Sequence, residues 1–379
     1  MRIVVTFVGG SGHLNPMVPL VRAAAAAGHD VRFAVMPSMV RAVRALGFPV
    51  FPLDDGPPRP PRRLPGRDPD DAYERKVFRD EFVLAGTRLL LPRVEAVCGR
   101  WRPDLIMVDD TNIGGMLAAE RLGIPHVTVQ VLAPDSFVRP TVIGDVVAEV
   151  RAEFGLPPDP DLEFVARHLM PTPFPPSYAT RRPATARPFR GDAPLPRRGA
   201  RPPWAGTRTV YFTLGTIYNM ECGDLFARVL GGLAQVPAHS VVTVGEHIDP
   251  AEFGRRPAHV HLERFVPQAT LLPWCDLVVS HGGSGSVVGT LTHGLPSVLL
   301  PLGADQPYNA ARLTALGAAV TLDPVTLTPD SLAAAVHRAL EDPGPREAAG
   351  RLAAEIAAQP TAAELVPLLE AVAHSPALP

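Results

Sequence analysis

The sequence predicts an α/β protein built from two doubly wound, Rossmann-like domains, and three observations carry that prediction. Apolar β-branched runs alternate with alanine-rich helical stretches along most of the chain, the trace of a parallel sheet with helices on both faces. The alternation starts afresh in the second half, and each half opens on a strand followed by a glycine turn and a helical stretch. With 379 residues, 46% of them hydrophobic, the chain is long enough for two separate cores.

In the first half, strands are predicted at residues 2–8 (RIVVTFV), 31–36 (VRFAVM), 104–109 (DLIMVD) and 126–131 (HVTVQV), with helices at 19–28, 39–47 and 115–123 between them. In the second half, strands are predicted at 208–215 (RTVYFTLG), 240–245 (SVVTVG), 259–263 (HVHLE), 276–283 (DLVVSHGG), 297–303 (SVLLPLG) and 318–322 (AAVTL). Residues 181–203 carry too much proline for an element interior and are predicted as the interdomain connection. A similar proline-arginine stretch, 57–71, is predicted as a long loop able to cover a cleft, and 137–154 as a second mobile region on the acceptor side.

Composition excludes several classes. Cys98, Cys222 and Cys275 lack both metal-ligand spacing and a disulfide framework, and read as buried inert thiols. A formal net charge of -2 gives no reason to expect nucleic acid or an anionic membrane as partner. No apolar run approaches a membrane span, and the N-terminus runs into a glycine loop instead of a signal-peptide cleavage site, so a cytoplasmic protein is expected. Lys76 is the sole lysine and stands in no glycine-rich loop, which rules out a Walker-type phosphate loop.

The two glycine turns narrow the chemistry. In the first, GGSGHLNP, Gly10 and Gly12 fit a G-x-G pattern, but Asn15 takes the third glycine position and no acid closes the second strand at Met36. A nicotinamide cofactor is therefore not expected. In the second, SHGGSGSVVG from Ser280, a strand end meets Gly282, Gly283 and Gly285, with Ser284 and Ser286 opening a helix and His281 beside them. Free N–H groups at such a helix start suit a diphosphate, although a helix cap that merely needs small residues would look the same. Downstream, a further strand leads to Asp305 and Gln306. An acid and an amide at the rim of an open sheet suit sugar hydroxyls, since the carboxylate accepts and the amide both donates and accepts.

With Asn309 and Ala310 added, the run from His281 to Gln306 resembles the donor signature of family 1 glycosyltransferases in their bacterial, natural-product form. Other segments agree: RFVPQATLLPWCD is similar to the segment that meets the nucleotide base, and FTLGT to the first loop of the C-terminal domain. The resemblance implies the GT-B fold, two Rossmann-like domains facing across a cleft. It implies an acceptor domain over residues 1–200, a nucleotide-sugar domain over 201–358, and a C-terminal helix in 359–379 crossing back to the first domain. It implies that Phe265 stacks on the base, with Val266 and Gln268 near base and ribose. Gly215 and Thr216 would approach the diphosphate, which His281, Gly283, Ser284, Gly285 and Ser286 bind, while Asp305 and Gln306 hold the sugar.

An inverting transfer needs a base at the acceptor hydroxyl, and a histidine held in one tautomer by a carboxylate supplies it. His13, in the first glycine turn, is that base by resemblance, and Asp109 is its partner by spacing to Gly123, with adjacent Asp110 the alternative. The family signature of plant members has an acid at the position of Gly289 and a tryptophan at that of Gly303; both are glycine here, which points away from UDP-glucose and toward a dTDP-linked, often deoxygenated sugar.

The expected function is thus an inverting glycosyltransferase acting on a hydrophobic polyketide or aromatic aglycone. No cofactor and no metal are expected: the D-x-D matches at 68–70 and 159–161 lie in proline-rich stretches. The expected partners are a nucleotide sugar and a small-molecule aglycone, with nothing deciding between monomer and homodimer. The rival readings are a nucleotide-sugar epimerase or hydrolase on the same fold, and a non-catalytic activator protein.

Overall fold

The computed structural model describes residues 1–54, 68–191, 206–220 and 222–374. The described residues divide into two compact units, the first of 1–54, 71–191 and 359–374, the second of 68–70, 206–220 and 222–358. Most of the predicted 57–71 loop and the 192–203 part of the predicted connection lie outside the described residues.

In the first unit, β1 (Arg2–Thr6), β2 (Asp30–Val35), β3 (Val50–Pro52), β4 (Leu105–Asp109) and β5 (His126–Val129) form a parallel sheet in the order β3-β2-β1-β4-β5. Strands flanked on both faces read as near-continuous apolar runs, which is why the first-half strands were visible in the sequence. Around the sheet lie α1 (Ser11–Ala26), α2 (Pro37–Ala45), α3 (Asp71–Val77), α4 (Gly86–Trp101), α5 (Ile113–Leu122) and α6 (Pro140–Glu153). α1 begins eight residues before its predicted start and takes in the glycine turn from Ser11 onward, with Gly10 as its N-cap, despite Pro16 and Pro19 inside it. Each proline forgoes one backbone hydrogen bond, but Met17, Leu20 and Val21 are completely buried on the sheet and hold the helix in place.

Residues 71–101, where no element is predicted, form one continuous helical rod. Between α3 and α4 its middle, Phe78–Ala85, is wound as a π-helix, in which the Gly86 N–H reaches the Glu81 carbonyl five residues back. Arg102 in the left-handed region ends the rod. Residues 140–153 are likewise helix and not a mobile region: Val142, Ile143, Val146, Val147 and Val150 recur at helical spacing and are buried. Part of the proline-rich connection is also ordered, since β7 (Ala186–Pro188) pairs in parallel with β6 (Met170–Thr172). Proline is tolerated on such a two-stranded edge, where its missing N–H breaks no ladder.

In the second unit β8 (Thr209–Thr213), β9 (His239–Thr243), β10 (Val260–Glu263), β11 (Leu277–Ser280), β12 (Ser297–Leu299) and β13 (Ala319–Thr321) form a parallel sheet, β10-β9-β8-β11-β12-β13. The helices here are α7 (Leu225–Leu233), α8 (Gln268–Leu271), α9 (Ser284–Thr292), α10 (Gln306–Ala315), α11 (Pro329–Glu341) and α12 (Pro343–Ala357). Alternate residues of β8 serve the two faces: Val210 and Phe212 pack with α7 and α11, and Tyr211 packs with Leu271 and Leu272. α13 (Val366–Ala373) returns to the first unit, where Leu365 and Leu369 join the core of Ile3, Val5 and Phe33. No described helix is long and apolar enough to cross a membrane.

Candidate active site

Both sheets reverse their winding direction beside their first strand, between β1 and β4 in one unit and between β8 and β11 in the other. At such a switch point the loops leaving adjacent strands diverge and open a crevice for ligands at the carboxyl ends. The residues singled out in the sequence fall at these two places.

In the first unit, Thr6 pairs with Val108, so the ends of β1 and β4 lie side by side. His13, in the first turn of α1, places Nδ1 3.0 Å from Oδ2 of Asp109. Asp109 is wholly buried and also accepts from Val8 N at 3.1 Å, Thr111 N at 3.0 Å and Thr111 Oγ1 at 2.8 Å. With Val8 N, Thr111 N and Thr111 Oγ1 all donating to it, the carboxylate is the acceptor toward His13 as well. His13 must therefore donate from Nδ1, and Nε2 carries the lone pair, the state required of a base. Gly9 lies in the left-handed region against this ring; a Cβ there would stand 2.8 Å from Cδ2 and 2.9 Å from Nε2. Asn112 ties the two strand ends together, accepting from Gly115 N as the cap of α5 and donating to Thr6 Oγ1.

Asp110 faces elsewhere. It is buried, accepts from Val131 N at 3.1 Å, and burial together with the charge of Asp109 pushes its pKa up to about 8. Of the two candidate partners, Asp109 is the one bonded to His13.

In the second unit, Ser280 pairs with Thr213, setting the turn after β11 beside the loop after β8. His281 lies beneath that turn, 8% exposed, with Nε2 against two glycines. A Cβ would lie 2.8 Å from Nε2 at Gly215 and 2.6 Å at Gly283, so both glycines are required by contact, Gly215 also by its positive φ. Burial holds the His281 pKa down to about 4, against an opposing pull from the backbone of Thr213. The ring is neutral at pH 7, and any charge in a bond to phosphate comes from the phosphate. Replacing His281 with alanine should still weaken nucleoside diphosphate binding by about 1.5–3 kcal/mol, the range for a bond to a charged group. Unchanged affinity by calorimetry would remove the diphosphate from this turn.

Gly283 precedes α9 with no side chain capping the helix, so the first N–H groups of Ser284, Gly285 and Ser286 remain for an anion. The Ser284 hydroxyl, expected at that anion, is engaged elsewhere. It donates to Asp305 Oδ2 at 2.6 Å and accepts from Asn309 Nδ2 at 3.0 Å, while the same amide donates to Gly282 O at 2.9 Å. Ser284 thus offers its backbone, and its side chain with Asn309 locks the turn to α10. Gln306 is buried with Oε1 accepting from Leu302 N and Gly303 N at 2.7 and 3.3 Å. Gln306 therefore holds the local backbone, and Asp305 the Ser284 hydroxyl, as well as standing at the rim.

Phe265 is 56% exposed, unusual for so large an apolar ring and suited to a stacking platform. Thr216 is exposed and Val266 half-buried. Gln268 donates to Ser286 Oγ at 3.2 Å and links this base-side segment to the glycine turn. Thr111 is a site residue that the sequence reading did not reach, although it had a signal, a hydroxyl two residues beyond a strand-end acid; Gly9 and Asn309 lay inside the quoted motifs, but their contacts with His13 and Ser284 were not read from them. Among the described residues no group of three or more His, Cys, Asp or Glu could hold a metal ion. The D-x-D at 159–161 serves structure, since Asp159 accepts from Glu163 N and Phe164 N.

Two doubly wound units, with an imidazole–carboxylate pair at one switch point and an uncapped glycine turn at the other, define the class of GT-B glycosyltransferases. Comparison with known proteins agrees. The C-terminal domain of the erythromycin biosynthesis protein CIII-like family matches residues 227–372. Tylactone mycaminosyltransferase of Streptomyces fradiae is 30% identical, with 98% of this chain and 92% of that protein covered. L-demethylnoviosyl transferase of Streptomyces niveus is 32% identical over 96% of both chains. A solved spinosyn rhamnosyltransferase complexed with thymidine diphosphate superposes with a TM-score of 0.80 at 25% identity, covering 98% of this chain and all of that one. The chain belongs to this family of antibiotic-biosynthesis glycosyltransferases.

Proposed function

We propose that the enzyme moves a sugar from a dTDP-sugar to a hydrophobic polyketide or aromatic aglycone, in one displacement that inverts the anomeric carbon and needs no metal ion. The observation that carries this reading is the His13–Asp109 pair, in which Nδ1 meets the buried carboxylate at 3.0 Å and Nε2 is the nitrogen to take the acceptor proton. His13 removes the acceptor proton as the acceptor attacks the anomeric carbon and the bond to the diphosphate breaks. Asp109 stabilises the imidazolium so formed. The departing diphosphate is held by the N–H groups from Ser284 to Ser286, the helix dipole of α9 and His281, with Gly215 and Thr216 alongside; a helix N-terminus can bear that charge without a divalent ion. Phe265 stacks on the base, Val266 and Gln268 lie toward base and ribose, and Asp305 with Gln306 orients the sugar. Activity should persist in excess chelator, and sugar nucleotide should disappear only when an aglycone is present.

Gly289 bears on the nucleotide. A Cβ there would lie 3.3 Å from Leu272 Cδ1 and 3.5 Å from Gln268 Oε1, so an acidic side chain in its place would meet both. Without that acid the site has less means to reward a ribose 2′-hydroxyl, and Phe265 is indifferent to the thymine methyl. dTDP should therefore bind at least as tightly as UDP; thymidine diphosphate bound to the spinosyn enzyme supports the same choice. Calorimetry with both diphosphates decides it. UDP tighter by tenfold, about 1.4 kcal/mol, would overturn the preference and make Gln268 the reader of the hydroxyl.

A further inference from the structure

The loop that leaves β8 carries Gly215 and Thr216, and it is tied down at both ends. At its start the Gly215 N–H donates to Thr213 Oγ1 at 3.1 Å. At its far end stands Asn219, in the short 3₁₀ turn Tyr218–Met220, with only 4% of its surface exposed. Asn219 Nδ2 donates to the Val244 carbonyl at 3.0 Å, across to the segment that leaves β9. Between the two ties, Thr216 and Ile217 are exposed.

The amide sits directly on Gly245. That residue has a φ of +99°, and a Cβ on it would stand 1.6 Å from Nδ2, so no side chain can share the place with Asn219. The segment under the amide is bonded in turn to the next one, Val244 N donating to Glu263 O at 2.9 Å and Gly245 N to Arg264 O at 2.8 Å. Arg264 precedes Phe265. A run of hydrogen bonds thus joins the loop of Gly215 and Thr216 to the exposed ring of Phe265, over the adjacent ends of β8, β9 and β10. Stability does not account for the amide. Asn219 Oδ1 is buried and accepts from none of the described residues, and an acceptor stripped of water without a donor costs at least what one neutral hydrogen bond returns. A polar group kept at that cost beside a ligand site calls for a functional reason.

We propose that Asn219, seated on Gly245, is a positioning residue for the nucleotide: it sets the spacing between the loop that approaches the diphosphate and the ring that stacks on the base. This rests on the reading of Gly215, Thr216 and Phe265 as donor-site residues. The two ends of a nucleoside diphosphate are tethered, so each raises the effective concentration of the other at its own subsite, provided the subsites keep the spacing that the tether spans. Released from Val244, the loop after β8 keeps its residues and loses that spacing.

The test compares Asn219→Ala, Asn219→Asp and Gly245→Ala in the full chain, with thermal unfolding recorded for each. Affinity for dTDP is read by calorimetry, and for thymidine and inorganic pyrophosphate by ligand-observed NMR. Asn219→Ala should bind dTDP about tenfold more weakly, through lost effective concentration, while thymidine and pyrophosphate, each read alone, hold their affinities. Its thermal transition should move little, since one bond and one unsatisfied acceptor are lost together. Asn219→Asp keeps the shape but turns an acceptor toward the Val244 carbonyl, and should lose as much dTDP affinity. Gly245→Ala displaces the amide from the other side and should lose at least as much as Asn219→Ala. Unchanged dTDP affinity in Asn219→Ala or in a folded Gly245→Ala would overturn the inference. So would either fragment weakening in step with dTDP, which would confine Asn219 to the shape of one subsite. Phe265→Ala and His281→Ala read alongside keep the two claims apart: if neither weakens dTDP the donor-site reading falls, whereas weakening there with an unaffected Asn219→Ala sinks only the spacing role.

Discussion

Replacing His13 with alanine should lower turnover by a factor of roughly 100 to 10,000, the usual worth of a positioned general base, while nucleoside diphosphate binding stays unchanged. The expectation rests on the tautomer. With Nδ1 committed to Asp109, Nε2 is the one ring nitrogen able to take a proton. The proposed donor residues stand in the other unit, on the segments after β8, β10, β11 and β12, so removing an imidazole from α1 leaves them intact. The loss should therefore appear in kcat with little change in donor KM. Turnover that survives the substitution would mean that the base is elsewhere or that the acceptor arrives already ionised.

Asp109→Asn should cost a comparable amount, on the order of 10³ to 10⁴ in kcat, and should also destabilise the fold. Oδ2 accepts from Val8 N and His13 Nδ1, and Oδ1 accepts from Thr111 N and Oγ1. An amide can present an oxygen to one pair only, so its NH2 must confront a backbone N–H on the other side. A buried donor without an acceptor costs about 1–3 kcal/mol, which thermal unfolding will register. If the NH2 faces His13, the ring must turn its Nδ1 into the acceptor and protonate Nε2, and the base is lost.

Asp110→Asn is the contrast. With its pKa pushed up to about 8, Asp110 is largely protonated at pH 7, and an amide is a near copy of that state. Because the folded pKa lies above the ordinary value of 3.8, the stability tied to this group is full below about pH 4 and is lost as pH rises through 8. Asp110→Asn should keep most activity and flatten that alkaline loss. A dead Asp110→Asn beside an active Asp109→Asn would exchange their roles.

The strands were legible because buried parallel strands are apolar throughout, and both glycine turns because strand-to-helix turns packed this closely on a histidine ring need residues without side chains. The pairing of His13 with Asp109 was legible only down to a choice between two adjacent acids. Burial separates them: successive residues at a strand end point to opposite faces, and only one face holds α1. The rod at 71–101 was read only as unassigned chain: the π-turn over Phe78–Ala85 breaks the 3.6-residue pattern in its middle, whereas α4, with Leu90, Leu91, Val94, Val97 and Cys98 at helical spacing, carried a signal that was missed. Nor was the commitment of Ser284 to Asp305, because a serine at a helix start can point to a ligand or back into the protein, and Asn309, a full helical turn into α10, decides which.

The most direct test is the anomeric configuration of the product. Enzyme, a dTDP-sugar of known α or β configuration and an aglycone are incubated in excess chelator, and the coupling constant of the anomeric proton in the purified glycoside is read by NMR. A single displacement driven by His13 predicts one glycoside, inverted at the anomeric carbon, formed with one equivalent of dTDP and absent when aglycone is withheld. Retained configuration, or dTDP release without an aglycone, would contradict it.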